Sequence, residues 1–493
     1  MNVIPLGAGQ DVGKSCILVS IYDKTIMLDC GMHMGYSDKR KFPDFSFLSK
    51  TKNFNALIDF IIISHFHVDH CGALPYFTEV CGYNGPIYMT YPTKAALPMI
   101  LEDCRKILEM KGKTEKFFTS EQINSCMSKI IPVNINETVE IAKNLFIKPY
   151  YAGHVIGAAM FYIRYKDKSM IYTGDFSTIA DKHLRAATID TLRPDLLITE
   201  STYGGILRDC RRNKERKFLQ AIQDTIDRKG KVLIPIFALG RAQEICLLIE
   251  NYCERIDLNV PIYLSMGLAD KVNEVYKRFA NYTNQTMQEK LAKKNAFEFD
   301  MIKPFNRQAL ISSDPCIIFA SPAMLHSGNS LSIFKSICSD KKNSVILPGF
   351  CTRGTVGEKI LNGIKRLEIN NEIVDINLEV YNIAFSAHAD TAGIMNIIDQ
   401  CKPKNVMLVH GDKQRMVSLK GLIQKEFNLP VFFPQNGIMI EIPSDKHVEI
   451  KLPMKNIEEI IDLQKQEQQL NLIIDVEKDG EELIGKTIKR LIE

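Results

Sequence analysis

The sequence predicts an α/β protein: a layered α/β body whose strands end in polar groups, interrupted by a smaller domain with its own parallel sheet. Three observations predict it. Apolar β-like runs recur along the chain, and many end beside glycine, histidine or a carboxylate. From about residue 205 to 383 that series gives way to strand-then-helix units without such endings. The chain has 493 residues, of which 45% are hydrophobic and 24% charged, enough for two or three folded domains.

The first elements surround a glycine-rich decoy. Gly7-Ala8-Gly9-Gln10-Asp11-Val12-Gly13-Lys14-Ser15 looks like a P-loop, but Ala8 stands where that pattern needs its first glycine. Ser15 to Ser20 reads as a strand, whereas a P-loop opens a helix. A tight turn between two strands is the better reading. Lys24 to Asp29 is the next strand, and Asp29 is either a turn cap or a carboxylate that orients a metal-binding histidine.

The apolar run Asp59 to Ser64 then leads into His65-Phe66-His67-Val68-Asp69-His70. In extended chain His65 and His67 point the same way, because side chains alternate with a period of two. The turn that follows aims Asp69 and His70 elsewhere, which gives two ligand pairs for two neighbouring points. Imidazole nitrogen and carboxylate oxygen suit Zn²⁺ first, and Fe²⁺ or Mn²⁺ less well. Four polar groups at a strand end are costly unless something binds them.

Residues 94–130 carry helical spacing. Four further runs repeat the strand-end pattern: Leu145 to Tyr151 before His154, Ser169 to Thr173 before Asp175, Asp195 to Thr199 before Glu200, and Asn405 to Val409 before His410. Val380 to Phe385 leads likewise to Ser386-Ala387-His388-Ala389-Asp390. A fold that stacks these strands collects their ends at one edge, where open α/β sheets bind ligands. Within the interruption, Lys231 to Phe237, Pro261 to Ser265, Cys316 to Ser321 and Ser344 to Gly349 read as strands of an inserted parallel domain. The basic stretch Arg208 to Lys217 reads as a solvated helix face in preference to an RNA contact. The last residues read as a helix with Leu483, Ile484, Ile488, Leu491 and Ile492 on one face, docking a partner or its own domain.

Composition narrows the function. A net charge of +4 is too small for a general polyanion-binding surface, so any nucleic-acid contact must be local. The 13 cysteines, an odd number without a C-x-x-C pair, fit reduced buried thiols of the cytosol or nucleus. The opening Met1-Asn2-Val3-Ile4-Pro5 lacks the charged and apolar regions of a signal peptide, and no apolar run is long enough to span a membrane.

With these residues assembled, the chain resembles the metallo-β-lactamase-fold nucleases that carry a β-CASP insertion. Asp29, the hexapeptide His65 to His70, His154 and Asp175 match that family's first four motifs in order, and Glu200, His388 and His410 match the three added by the β-CASP branch. Gly31-Met32-His33-Met34-Gly35, Phe42-Pro43-Asp44-Phe45 and Ser386 to Asp390 favour the branch's snRNA-processing members over their polyadenylation sister.

The resemblance implies a metallo-β-lactamase αββα sandwich with an inserted parallel α/β β-CASP cap. The domains are then 1–204 and 384–445 for the sandwich, 205–383 for the cap and 446–493 for a short C-terminal segment. It implies two Zn²⁺ with a bridging hydroxide: one ion on His65, His67 and His154, the other on Asp69, His70 and His410, with Asp175 between them. His388, oriented by Glu200, is the implied general acid. Arg241, Ser327, Gly328, Arg353, Gly354 and Thr355 are candidate RNA-phosphate contacts. The implied activity is zinc-dependent endonucleolytic cleavage of nascent or precursor RNA 3′ ends, with single-stranded RNA as substrate. The implied partners are a homologous inactive subunit and further subunits of a nuclear complex, with no membrane. The alternatives are the polyadenylation endonuclease or a less specialised β-CASP ribonuclease, an esterase of the same fold, a non-catalytic scaffold, and an exonuclease or DNA-directed member.

Overall fold

The computed structural model describes residues 1–36, 38–48, 53–110, 117–207, 210–236, 240–256, 258–265, 269–293, 297, 299–349, 351, 354–369, 372–443, 472–479 and 482–490. Residues 2–441 form one compact body.

Its first sheet is built from β1 (Asn2–Gly7), β2 (Cys16–Ile21), β3 (Lys24–Leu28), β4 (Phe60–Ile62), β5 (Ile87–Thr90) and β6 (Ile130–Val133), adjacent in that order. The strands β1 to β3 run antiparallel, and from β3 onward the pairing is parallel. The second sheet takes β7 (Val139–Ala142), β8 (Leu145–Tyr151), β9 (Ala159–Tyr165), β10 (Lys168–Tyr172) and β11 (Leu196–Glu200). Helices Tyr91–Met110 and Thr391–Cys401 cover one sheet each: Leu97 and Leu101 join Ile61 and Ile87 in one core, and Ile394 and Ile397 join Ile171 and Leu197 in another. Strands β4 and β11 are buried along their whole length, as strands covered on both faces must be. This explains why they read as unbroken apolar runs.

After β11 the chain leaves to build a third sheet from β12 (Lys231–Pro235), β13 (Ile262–Ser265), β14 (Ile302–Pro304), β15 (Cys316–Ala320) and β16 (Ser344–Leu347). A small hairpin, β17 (Arg366–Ile369) and β18 (Glu372–Asp375), precedes β19 (Glu379–Asn382). The order β14-β13-β15-β12-β16-β19 is parallel throughout. Helices Arg211–Asp227 and Arg241–Ile256 pack on one face and Gly328–Ile337 on the other.

The strand before His388 departs from the sequence reading. It pairs with β16 of this inserted sheet, not with the strands that carry the other histidines. Its apolar run is short and half exposed, because β19 is an edge strand.

The chain then returns. Strand β20 (Val406–Val409) pairs in parallel with β11, followed by β21 (Val431–Phe432), and β22 (Ile440–Glu441) closes the first sheet beside β1.

The second unit comprises Met1 and residues 442–493. Within it β23 (Leu472–Asp479) and β24 (Glu482–Arg490) form an antiparallel pair, which corrects the helix read from the sequence. Leu483, Ile484 and Ile488 fit a helical stripe, but Ile484, Thr487 and Ile488 are β-branched, and Leu472-Ile473-Ile474 supplies a strand to pair with. Leu491 and Ile492 lie outside the described residues. No helix among the described residues is long and apolar enough to cross a membrane.

Candidate active site

The parallel pairing fixes where the polar groups meet. Strands β8, β10, β11 and β20 run in the same direction, because β9 lies antiparallel between β8 and β10. Their carboxyl ends deliver His154, Asp175, Glu200 and His410 to one rim. The carboxyl ends of β3 and β4 deliver Asp29 and His65 to His70 from the other sheet.

The two layers are stitched by the Ala159 amide, which donates to the Ser64 carbonyl at 3.0 Å, and within the first sheet the Asp29 amide donates to the Ile62 carbonyl at 2.8 Å. The glycine-rich loop after β1 joins two antiparallel strands and braces the rim. The Ser15 amide donates to the Asp69 carbonyl at 2.7 Å, and the His410 amide donates to the Ala8 carbonyl at 2.8 Å. Gly31 passes beneath the hexapeptide so closely that a Cβ would stand 1.7 Å from the Asp69 carbonyl oxygen.

Two groups of donors converge. His65, His67, His154 and Asp175 form one, and Asp69, His70 and His410 form another, with all ligand atoms of each group within 4.8 Å of one another. A third combination contains Asp175, Glu200, His388 and His410. The His67 Nδ1 stands 3.0 Å from His65 Nε2 and 3.1 Å from His154 Nε2. Nitrogens on one tetrahedral zinc, bound at about 2.0–2.1 Å, stand about 3.3 Å apart. Asp175 reaches both groups, lying 3.8 Å from His65 and from His154 and 3.2 Å from His70.

The outward nitrogens are committed elsewhere. Asp29 is fully buried and accepts from His70 Nδ1 at 2.7 Å, Tyr172 Oη at 2.6 Å, Ser64 Oγ at 2.8 Å and the Ser64 amide at 2.7 Å. With its own proton given to Asp29, Ser64 Oγ can only accept from His65 Nδ1, 3.0 Å away. His154 Nδ1 donates to the Ala387 carbonyl at 3.0 Å. Thr202 Oγ1 donates to Glu200 at 2.6 Å, so it accepts from His410 Nδ1 at 3.1 Å. In all four histidines Nε2 is left as the lone-pair atom facing inward, the arrangement metal-bound imidazoles adopt.

Two buried inward atoms, His70 Nε2 and Asp175 Oδ1, have no hydrogen-bond partner. Orphaned buried polar atoms are costly, and a bound cation satisfies both. The donor set therefore fits a metal centre.

Electrostatics agree with neutral donors at the first point. Burial and the neighbouring imidazoles push His65 and His154 well below the ordinary histidine range, and burial pushes His67 down to about 4. At the second point burial also opposes charge on His70, but Asp175, Asp69 and Asp29 outweigh it and raise His70 well above that range. Burial raises Asp175, yet His410, His70 and His388 together hold it well below the carboxylate range.

His388 is held differently. Its Nδ1 lies 2.8 Å from Glu200 Oε2, and its amide donates to Ser386 Oγ at 3.2 Å. Glu200 Oε1 is fixed by the Phe176 amide at 2.8 Å. Burial lowers His388, but Glu200 and Asp175 raise it on balance.

The described candidate phosphate contacts belong to the inserted domain. Arg241, Ser327 with Gly328, and Gly354 with Thr355 follow the carboxyl ends of β12, β15 and β16, on one edge of the inserted sheet. Thr355 caps its own helix by accepting from the Glu358 amide. Arg353 lies outside the described residues. Sequence reasoning missed the positioning partners Ser64, Tyr172 and Thr202. Thr202 alone left a signal, two residues beyond Glu200 on the same strand end.

Fold and site together define a metallo-hydrolase of the metallo-β-lactamase superfamily. Residues 18–199 match the metallo-beta-lactamase superfamily domain, 242–360 the Beta-Casp domain, and 373–434 the Zn-dependent metallo-hydrolase RNA specificity domain. Integrator complex subunit 11 of Gallus gallus is 50% identical over 480 residues, spanning 97% of this chain and 79% of that protein. Cleavage and polyadenylation specificity factor subunit 3-II of Arabidopsis thaliana is 46% identical over 451 residues, spanning 91% of this chain and 73% of the relative. A crystal structure of an Enterococcus faecalis protein of unknown function shares the fold, with a TM-score of 0.51 at 15% identity over 89% of this chain and 99% of that one. The chain belongs to the Beta-Casp family of metallo-β-lactamase-fold proteins that includes Integrator complex subunit 11 and cleavage and polyadenylation specificity factor subunit 3.

Proposed function

We propose that this chain is the catalytic subunit of an Integrator-like complex, a hydrolytic RNA endonuclease that cuts snRNA and other nascent transcripts at their 3′ ends. The observation that carries the reading is the set of inward-facing imidazole nitrogens around Asp175, beside the separate His388–Glu200 pair. His65, His67 and His154 would hold one Zn²⁺ and Asp69, His70 and His410 a second, with Asp175 shared. When bound, such a pair supplies a hydroxide nucleophile at neutral pH and neutralises phosphate charge.

The chain's own residues do the rest. Asp29, Ser64, the Ala387 carbonyl and Thr202 fix the imidazoles so that no reorganisation is needed during reaction. Attack on phosphorus forms one P–O bond and breaks the bond to the 3′-oxygen of the upstream nucleotide, which leaves with the electron pair. His388 gives that oxygen a proton from Nε2, while Nδ1–H stays on Glu200. A proton on Nδ1 keeps the nitrogen nearest Asp175 from acting as a ligand, which supports the acid role for His388. The products are a 3′-hydroxyl and a 5′-phosphate. Arg241, Ser327, Gly328, Arg353, Gly354 and Thr355 are proposed to lie along the RNA path.

The proposed partners are a homologous inactive subunit of the Integrator subunit 9 kind and further complex subunits, in the nucleus. The polyadenylation endonuclease is the second reading, favoured by the 46% identity to the Arabidopsis relative. Purified full chain, alone and with companions captured from nuclear extract, should cut a circular single-stranded RNA and lose that activity on chelation. Integrator-type companions support the first reading and polyadenylation-type companions the second. Cleavage confined to free ends, or unaffected by chelation, contradicts both.

A further inference from the structure

Beside His388 lies a cavity bordered by residues 384–390 and by Arg211, Lys214, Arg241, Glu244 and Asp181, and by none of the seven proposed metal ligands. Two helices begin at it. Arg211 is the first residue of helix Arg211–Asp227 and Arg241 the first of helix Arg241–Ile256.

The first of these helices is built against its own dipole. Its opening turn reads Arg211-Arg212-Asn213-Lys214, contains no acidic residue, and has no side-chain cap from Cys210. Cations are disfavoured at a helix amino end, whereas anions are favoured there. A fold that places three cations in that turn gives up stability at a point facing the reaction centre, as functional sites do.

The guanidinium groups are aimed rather than loose. The Glu244 carboxylate, 1% exposed, pairs with both Arg211 and Arg241. Arg211 also pairs with Glu215 at 3.0 Å, and Arg241 Nη1 lies 4.0 Å from Asp181. Both arginines border the cavity and are partly exposed, at 24% and 21%. Of the other bordering acids, Asp181 Oδ1 accepts from the His183 and Leu184 amides, and Asp390 Oδ1 accepts from the Gly393 amide. Planar guanidinium forks of this kind suit phosphate oxygens. The basic stretch that reads as a solvated face in sequence thus places Arg211 and Lys214 at a cavity wall.

We propose that this cavity is a second phosphate subsite, in which Arg211, Lys214 and Arg241 bind the backbone phosphate immediately 5′ of the scissile one. The polarity rests on the endonuclease reading above. If His388 protonates the departing 3′-oxygen, the strand beyond His388 is the upstream one, and its next phosphate arrives at this wall. Glu244 is a positioning residue that holds the two forks parallel to the opening.

Two variants of the full chain, Arg211→Gln and Lys214→Gln, test this, with thermal melts to establish folding. In chelator, where nothing is cut, each should bind a labelled single-stranded RNA about tenfold more weakly. The slope of log affinity against log salt should fall by about 0.7 per lost contact. With metal restored, an RNA carrying one neutral methylphosphonate just 5′ of the cut site should raise the wild-type KM about tenfold and add little further in Arg211→Gln. Unchanged affinity and salt slope in both folded variants would overturn the subsite. So would a methylphosphonate penalty equal in wild type and variant. An Arg211 effect confined to linear 5′-phosphorylated RNA and absent from circular RNA would overturn the backbone assignment in favour of a terminal phosphate. Arg211-dependent binding without any cleavage would sink the endonuclease reading and leave phosphate binding at this wall standing.

Discussion

The floor of the site and the wall beside it solve the same problem, keeping polar groups away from water, by opposite means. On the floor, four imidazoles are held by Asp29, Ser64, Thr202 and a backbone carbonyl, and His65 and His154 turn their remaining nitrogens to His67 Nδ1 at 3.0 and 3.1 Å. On the wall, cations are held by acids: Arg211 and Arg241 by Glu244, and Arg211 also by Glu215 at 3.0 Å. The floor is neutral or anionic and needs a cation to satisfy it. The wall has its charges paired already, with part of each arginine exposed to meet an anion. The difference teaches that the two regions should fail differently. Damage to the floor should show in metal content and rate, and damage to the wall in substrate affinity and in pH-dependent stability.

Three changes break or sharpen this contrast. The largest effect is expected from His388→Ala, which stands between the two regions. Loss of a positioned general acid costs about 10²–10⁴-fold in kcat, and metal content should stay at the wild-type level. Rate and zinc content measured on the same preparation decide the matter, since loss of zinc would move His388 to the floor.

Next is Asp29→Asn. The replacement keeps the shape but removes the charge that fixes His70, so metal affinity should weaken by about 10–100-fold. A chelator titration followed by metal analysis reads this directly, and an unchanged midpoint would show that the floor does not depend on its buried carboxylate.

The smallest effect belongs to the wall. Burial alone would raise the Asp181 carboxyl, but His183, 3.0 Å away, and Arg241 hold it well below the ordinary carboxylate range. A depressed folded-state pKa adds stability above the unfolded value of about 3.9 and loses it as pH falls through the folded value. Wild type should therefore lose more stability than Asp181→Asn between pH 5 and the acid limit, so that their denaturant midpoints converge on acidification. Curves that stay parallel across that window would remove Asp181 from the charge balance.

The floor was legible in the sequence because its information is local. A hexapeptide after a buried strand sets its own spacing, and the other candidate ligands sit at strand ends that parallel pairing must bring together. Its supports were not legible: Tyr172 reaches Asp29 from the other sheet, and Thr202 reaches His410 from a neighbouring strand, contacts that only layer packing and register create. The wall was not legible, because Arg211 and Lys214 have the composition of a solvated face and nothing local says that they border a cavity. His388 was placed at the right edge for a different reason from the one its sequence suggests, since its strand belongs to the inserted sheet. The terminal pair β23–β24 was misread as helix because Ile484 and Ile488, four apart, fit both the helical and the strand period over so short a run.

Asp175 is proposed to join two metal points into one centre. Zinc bound per chain, counted by mass spectrometry on purified full-length protein, tests it most directly. Wild type should hold about two ions, and Asp175→Ala, folded by circular dichroism, should fall below one with cleavage reduced to background. An Asp175→Ala protein that keeps the wild-type complement of metal would contradict the account.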